Sequence, residues 1–120
     1  MNLNEKLIAL LGSIGIPVEQ DEYEGNEKIY ITFSYEDERT EVYADNIPYS
    51  DVVSLQIQLI TPKNFNYFKL KRKIRSLLES ADFSILSTRS FLGDIYWGTE
   101  KIRQTVFEVE YTELRQEDKE

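Results

Sequence analysis

The chain has 120 residues, a length typical of one domain, and its 41% hydrophobic and 30% charged residues are ordinary globular proportions. It contains neither Cys nor His, which excludes disulfides, thiolate metal sites, cysteine nucleophiles, and the commonest general base and zinc ligand. The net charge of -8 argues against a general nucleic-acid binder, because such binding depends on Lys and Arg at phosphates.

The charges are unevenly distributed along the chain. Half of the 22 acidic residues lie between Glu19 and Asp51, whereas six of the 14 basic residues lie between Lys63 and Arg75. The sequence therefore predicts a domain with an acidic and a basic surface.

The N-terminal segment predicts a helix. Asn2 is a candidate N-cap with Glu5 in capping-box position, leucines at helical spacing follow, and Gly12, Gly15 and Pro17 end the pattern. Its apolar stretch is shorter than a membrane span, and we expect a soluble, intracellular protein.

The segment from residue 19 to residue 59 predicts a loop followed by three strands. Residues 19–27 are polar and turn-forming, which predicts an acidic loop, and residues 28–34 alternate as a strand. The charged patch 36–39 predicts a turn to a second strand through Val42 and Tyr43. Residues 53–59 then give the clearest strand, with one apolar face and one polar, uncharged face.

The second predicted helix has Thr61 as N-cap and Pro62 as first helical residue. An apolar stripe follows at helical spacing. The opposite arc carries five basic residues: Lys69, Lys71, Arg72, Lys73 and Arg75.

Strands are also predicted over 83–88 and 105–112, joined by an aromatic-rich loop over 91–98. We expect residues 1–113 to form a single domain and 114–120 a flexible acidic tail. The element order predicts an α+β fold, with a mainly antiparallel sheet and two helices packed on one face.

No residue pattern predicts catalysis, a bound metal or a cofactor. Asp21 to Gly25 departs from the calcium-loop pattern at Tyr23, and Gly12 to Gly15 lacks the Lys of a phosphate loop. The sequence therefore predicts a protein that binds and assembles and is not an enzyme.

Interaction residues follow from the charge pattern and the aromatic loop. The basic helix face is a solvated surface, a contact for an acidic protein or, as the alternative, a nucleic-acid surface. Tyr and Trp in the loop are either core or an interface anchor. The candidate residues are the five basic ones with Glu22, Glu24, Glu36, Asp37, Glu38, Ile95, Tyr96 and Trp97.

Two segments carry a resemblance. The run Gln56 to Asn66 with its following helix, from Leu70 to Phe83, and the ending Arg103 to Tyr111 are similar to small tail proteins of phages and prophages of Gram-positive bacteria. The chain resembles the tail terminator, or tail completion, family of the lambda-like α+β fold, in element order over residues 1–112.

The resemblance implies a structural role in a virion. Six copies would form a ring on the tail tube, stop polymerisation of the tube protein and present a surface to the head–tail connector protein. The implied location is the virion tail, with the host cytoplasm during assembly, and no membrane partner is implied. Another neck or baseplate component of a tail, or a small nucleic-acid-binding regulator using residues 63–75, remains the alternative.

A ring needs a heterologous interface between two different patches of one subunit. We therefore expect the basic helix of one copy to meet acids between Glu19 and Asp45 of its neighbour.

Overall fold

The computed structural model of the chain describes residues 2–42 and 49–115. In this part of the chain two helices and five strands follow in the order α1 (Leu3–Gly12), β1 (Val18–Gln20), β2 (Tyr30–Val42), β3 (Tyr49–Pro62), α2 (Phe68–Ser80), β4 (Phe83–Trp97) and β5 (Glu100–Arg115). The predicted α+β class, with a mainly antiparallel sheet and two helices on one face, is confirmed.

The sheet has the strand order β1-β2-β3-β5-β4. Neighbouring strands are antiparallel except β1, which runs parallel to β2 and pairs with it over Ile31, Thr32 and Phe33. The two longest pairings join β3 to β2 and to β5, so β3 lies at the centre. The molecule is elongated, with extents of 57 × 23 × 22 Å.

The core lies between the helices and one face of the sheet, here called the inner face. Ile57 and Phe107 are directly opposite each other on β3 and β5, and both are fully buried. Leu7 and Leu11 of α1 and Ile74 and Leu78 of α2 pack on this face. Because side chains alternate along a strand, the apolar positions 53, 55, 57 and 59 fall on the inner face together.

The predicted start of α1 is confirmed in detail. The side chain of Asn2 accepts a hydrogen bond from the Glu5 backbone N–H (2.8 Å), and Glu5 Oε1 accepts one from the Asn2 N–H (3.1 Å). This capping box pairs two donors that a helix start leaves open. After the helix, Gly15 has φ = 98°, a conformation that favours glycine.

The prediction of a turn over residues 36–39 is wrong. The charged residues lie within β2, which continues to Val42, and Glu36 is the extra residue of a β-bulge between Tyr35 and Asp37. Charges and bulges are common on strands at a sheet edge, where a charged side chain remains solvated. Tyr43 lies outside the described residues.

The predicted helix start at Thr61 and Pro62 is also wrong. Both residues end β3, where Thr61 is opposite Arg103 and Pro62 opposite Ile102 of β5. Helix α2 begins at Phe68, and its N-cap, Tyr67, makes no side-chain capping hydrogen bond. Strand pairing therefore outweighed a local N-cap signal.

Residues 91–97 of the predicted aromatic loop form a strand, which corrects a third prediction, and of that loop Gly98 alone lies in a turn. Residues 91–97 complete β4, and a tight turn at Gly98 and Thr99 leads directly into β5. Gly98 has φ = 62°, which suits such a turn. Between Leu92 and Tyr96 the pairing with β5 is irregular, and β4 bends there.

Several predicted boundaries also change. Val18–Gln20 form β1 at the start of the predicted acidic loop, and the other strands are longer than predicted. Leu114 and Arg115, which we assigned to the tail, belong to β5, and residues 116–120 lie outside the described residues. Neither described helix is long and apolar enough to cross a membrane.

The central packing gives a stability test. Phe107→Ala should lower the free energy of unfolding by about 3–5 kcal/mol, because it removes a fully buried aromatic ring and leaves a cavity. Ile8→Ala on the exposed side of α1 is the control and should change it by about 0.5 kcal/mol or less. Urea unfolding followed by circular dichroism measures both, and equal effects would contradict the assigned core.

Candidate functional site

The five predicted basic residues all lie on α2, but on different sides of it. The buried stripe of the helix contains Leu70, Ile74 and Leu78. Lys69 and Lys73 flank this stripe on the side of α1, where they line a groove of about 430 Å³ together with residues 14, 16, 29, 65, 66 and 70.

The remaining basic residues form a stripe with one aromatic residue. Phe68, Lys71, Arg72 and Arg75 have helix spacings i, i+3, i+4 and i+7, which place them on one surface of α2. This basic stripe extends from Arg72 on the crest of the helix, next to Lys69, to the flank opposite Lys73, which faces away from α1. Because α2 lies against β4, the basic stripe is on the β4 side of the molecule. Arg75 Nε is 3.6 Å from Glu79 Oε2, and Lys71 is half-buried.

The predicted acidic residues lie on the opposite side. Glu36, Asp37 and Glu38 are exposed on β2, past the residues that β1 covers, and they are here called the acidic edge. Glu22 and Glu24 are exposed in the segment between β1 and β2, next to the same lateral edge of the sheet. Asp45, the limit of the predicted acidic region, lies outside the described residues.

The strand order keeps the two charged surfaces apart. From β2 to β4 the sheet has three strand spacings, or about 14 Å at ~4.8 Å each. This exceeds the screening length of about 8 Å at physiological ionic strength. The basic stripe therefore does not neutralise the acidic edge of its own chain, and each surface is available to a charged partner.

The outer face of the sheet, which points away from the helices, carries an ordered polar row. Gln104 Nε2 donates to Gln58 Oε1 (3.0 Å), and Gln58 Nε2 donates to Gln56 Oε1 (2.9 Å). Gln56 Nε2 in turn donates to Glu108 Oε2 (3.0 Å) and Glu36 Oε2 (3.3 Å). The row connects β5 through β3 to the acidic edge and fixes its side chains by mutual hydrogen bonds.

Glu36, at one end of this row, has a raised pKa. A hydrogen bond with the side chain of Glu108 raises the pKa of Glu36 above its usual value, and desolvation and the negative charge of Glu108 act in the same direction. Arg89 Nη2 lies 4.0 Å from Glu108 Oε2. The polar row therefore gives the outer face a set of side chains ordered by mutual hydrogen bonds, with Glu36 at one end.

The aromatic residues of β4 lie at its far end. Ile95 and Tyr96 are nearly half exposed, whereas Trp97 is partly covered and Lys28 Nζ lies 5.9 Å from its ring centroid. Lys28 lies two residues before the start of β2, so the end of the β4–β5 hairpin reaches across to the β2 side of the sheet. There a cleft of about 460 Å³ collects aromatic and polar residues: Tyr23, Gly25, Asn26, Glu27, Lys28, Tyr30, Tyr96, Trp97 and Gly98.

Sequence reasoning missed several residues of these surfaces. Arg89 lies near Glu108 because β4 pairs with β5, and no local sequence pattern predicts this pairing. Tyr23 and Tyr30, whose ring centroids are 4.4 Å apart, join Trp97 only through the bend of the hairpin. A detectable signal existed for Phe68, because it shares helix spacing with three basic residues.

Among residues 2–42 and 49–115, no group of three or more acidic side chains could hold a metal ion. No model of a known protein family and no curated protein matches the chain. The surfaces that bear on function are therefore the acidic edge, the basic stripe, the polar row and the aromatic end of the β4–β5 hairpin.

The pKa of Glu36 predicts a pH-dependent stability. Because its folded-state pKa is raised, protonated Glu36 stabilises the fold, and this contribution is lost as pH rises through that pKa. Glu36→Gln should therefore increase the free energy of unfolding at pH 7, by a small amount because the residue is exposed, and the gain should shrink toward pH 4.

Urea titrations at several pH values measure this difference. Glu38→Gln is the control, since it removes a carboxylate from the same exposed edge without the contact to Glu108. A gain that is the same at pH 4 and pH 7 would contradict the assignment.

Proposed function

We propose that the chain is a tail terminator, a structural protein that closes the tail tube of a phage or prophage as a homo-oligomeric ring. In this role it stops polymerisation of the tube protein and presents a surface to the head–tail connector protein. The observation that carries the proposal is the location of opposite charges on opposite sides of the domain, with the acidic edge on β2 and the basic stripe on α2 on the β4 side.

Opposite edges support a ring for a geometric reason. A copy that uses its basic stripe on one neighbour retains its acidic edge for the next, so contacts of one kind can continue around a circle. Two patches on the same side would favour a closed pair instead. The resemblance to the tail terminator family supplies the number six and the tube as template.

The fold is consistent with that resemblance. The resemblance implies an α+β fold, and the chain has one, with two helices beside a mainly antiparallel sheet. The exposed Ile95 and Tyr96 add an apolar surface at the hairpin end, where Tyr96 shares a cleft with Tyr23 of the segment between β1 and β2. We assign this hairpin end to contact with the tube protein or connector, since aromatic residues are common anchors of interfaces.

A charge-reversal experiment tests the ring. Arg72→Glu with Arg75→Glu should weaken self-association roughly tenfold or more, because like charges then face each other across the interface. Sedimentation velocity over a concentration series at low salt measures the effect. Higher salt should weaken the wild-type association in the same assay.

Two further variants make the result specific. Asp37→Lys with Glu38→Lys on the partner copy should restore association with the reversed stripe. Lys69→Glu with Lys73→Glu changes the same number of charges on the flank facing α1 and should have the smaller effect. If the double arginine variant and the double lysine variant weaken association equally, the basic stripe is not the contact.

The capping role is tested on tubes. Tube protein from the same genome, polymerised with this chain, should give tubes of limited length with a ring at one end in negative-stain electron microscopy. Without the chain the tubes should be overlong. Tubes whose length and ends do not change on adding the chain would refute the role as terminator, whatever the protein's own association.

A further inference from the structure

Phe68 is an exposed aromatic side chain at the N-terminal end of the basic stripe. It is 52% exposed at the first position of α2, beside Lys71, Arg72 and Arg75 of the basic stripe. An aromatic ring of this exposure adds little to the core. Exposed aromatic and Arg side chains together are typical of residues that dominate binding energy at interfaces.

The ring of Phe68 is held in position before any partner binds. It stacks on Tyr67 with centroids 4.7 Å apart and an interplanar angle of 21°. Lys71 Nζ lies 6.0 Å from both ring centroids, and the Phe68 backbone N–H donates to Asn66 Oδ1 at 3.2 Å. A preordered ring loses little conformational entropy on binding.

A cleft of matching character lies at the other edge of the sheet. Its volume is about 440 Å³, and Leu3, Tyr35 and Val53 supply apolar surface between the start of α1 and β2. The three residues of the acidic edge and Glu113 of β5 complete the lining. The cleft thus combines apolar side chains with four acidic residues, of which Glu36 directs Oε2 to Gln56 in the polar row of the outer face.

We propose that Phe68 of one copy inserts into this acid-rimmed cleft of the next copy, with Lys71, Arg72 and Arg75 facing its carboxylates. The inference rests on the proposed ring and names its contact. Apolar burial supplies affinity at the centre, and the surrounding opposite charges select the orientation.

The groove lined by Lys69 and Lys73 does not fit the same occupant. It lies beside α1, is lined by Ile14, Ile16 and Phe65, and carries Lys69 and Lys73 at its rim. A basic stripe would be repelled there. The cleft at the hairpin end has one acidic residue, Glu27, beside the basic Lys28, whereas four acidic residues line the cleft at the acidic edge. Charge therefore assigns Phe68 to the cleft at the acidic edge, which lies across the sheet from the stripe and makes the contact heterologous.

A pair of aromatic substitutions tests the contact. Phe68→Ala should weaken self-association at least about tenfold, as expected for a central aromatic anchor, while circular dichroism and the melting temperature stay close to wild type. Phe65→Ala is the control, because Phe65 is a neighbouring, partly exposed aromatic residue that lines the other groove. It should leave association unchanged.

Cross-linking tests the partner residue directly, since the native chain contains no cysteine. Phe68→Cys and Glu38→Cys are made in separate chains, mixed and oxidised. The mixture should give a covalent pair containing one chain of each kind, and a chain with both substitutions should give a ladder of higher oligomers. Phe68→Cys alone should give no disulfide-linked dimer, because the contact is not two-fold.

The outcomes separate the two proposals. Suppose that association depends on the basic stripe but is unchanged by Phe68→Ala, and that no disulfide forms between positions 68 and 38. This result would overturn the insertion of Phe68 and would leave the proposed ring intact. A disulfide between two copies of Phe68→Cys also overturns it, in favour of a two-fold contact. A protein that stays monomeric at every concentration and on tail tubes overturns both.

Discussion

The packing of α1 and α2 on one face of the sheet is the contact on which the rest of the structure depends. Leu7, Leu11, Ile74 and Leu78 meet the apolar side chains of the inner face and remove them from water. With that face covered, charged side chains remain at the lateral edges, on the solvated flanks of the helices and on the outer face. The core thus determines where a partner can bind.

The lateral separation of charge follows from topology more than from composition. Residues 36–38 and the basic stripe are about 30 positions apart in sequence, yet the strand order places them on opposite sides of β3 and β5. A hairpin order with β4 next to β2 would have brought them together, where they would neutralise each other. The observed order leaves two complementary surfaces, which is the condition for head-to-tail assembly.

The outer face adds order without adding a catalytic arrangement. Its glutamines and Glu108 satisfy one another in a row, and Glu36 joins this row at the bulge of β2. Such mutually bonded side chains lose little freedom when a partner approaches. A bulge at an open sheet edge also discourages indiscriminate strand pairing, so specific side-chain contacts are favoured over aggregation.

The sequence by itself determined the fold class, the first helix with its capping box, the central strand and the basic character of α2, because these depend on residue periodicity and neighbouring side chains. It misassigned residues 36–39, 61–62 and 91–97, where turn-like or cap-like residues are held in long strands by pairing with neighbouring strands. Tertiary structure alone decided three features: which flank of α2 faces outward, the cleft at the acidic edge, and the contact region shared by Tyr23 and Trp97. The physical reason is that each depends on strand order and on a bend, and neither leaves a local pattern in the sequence.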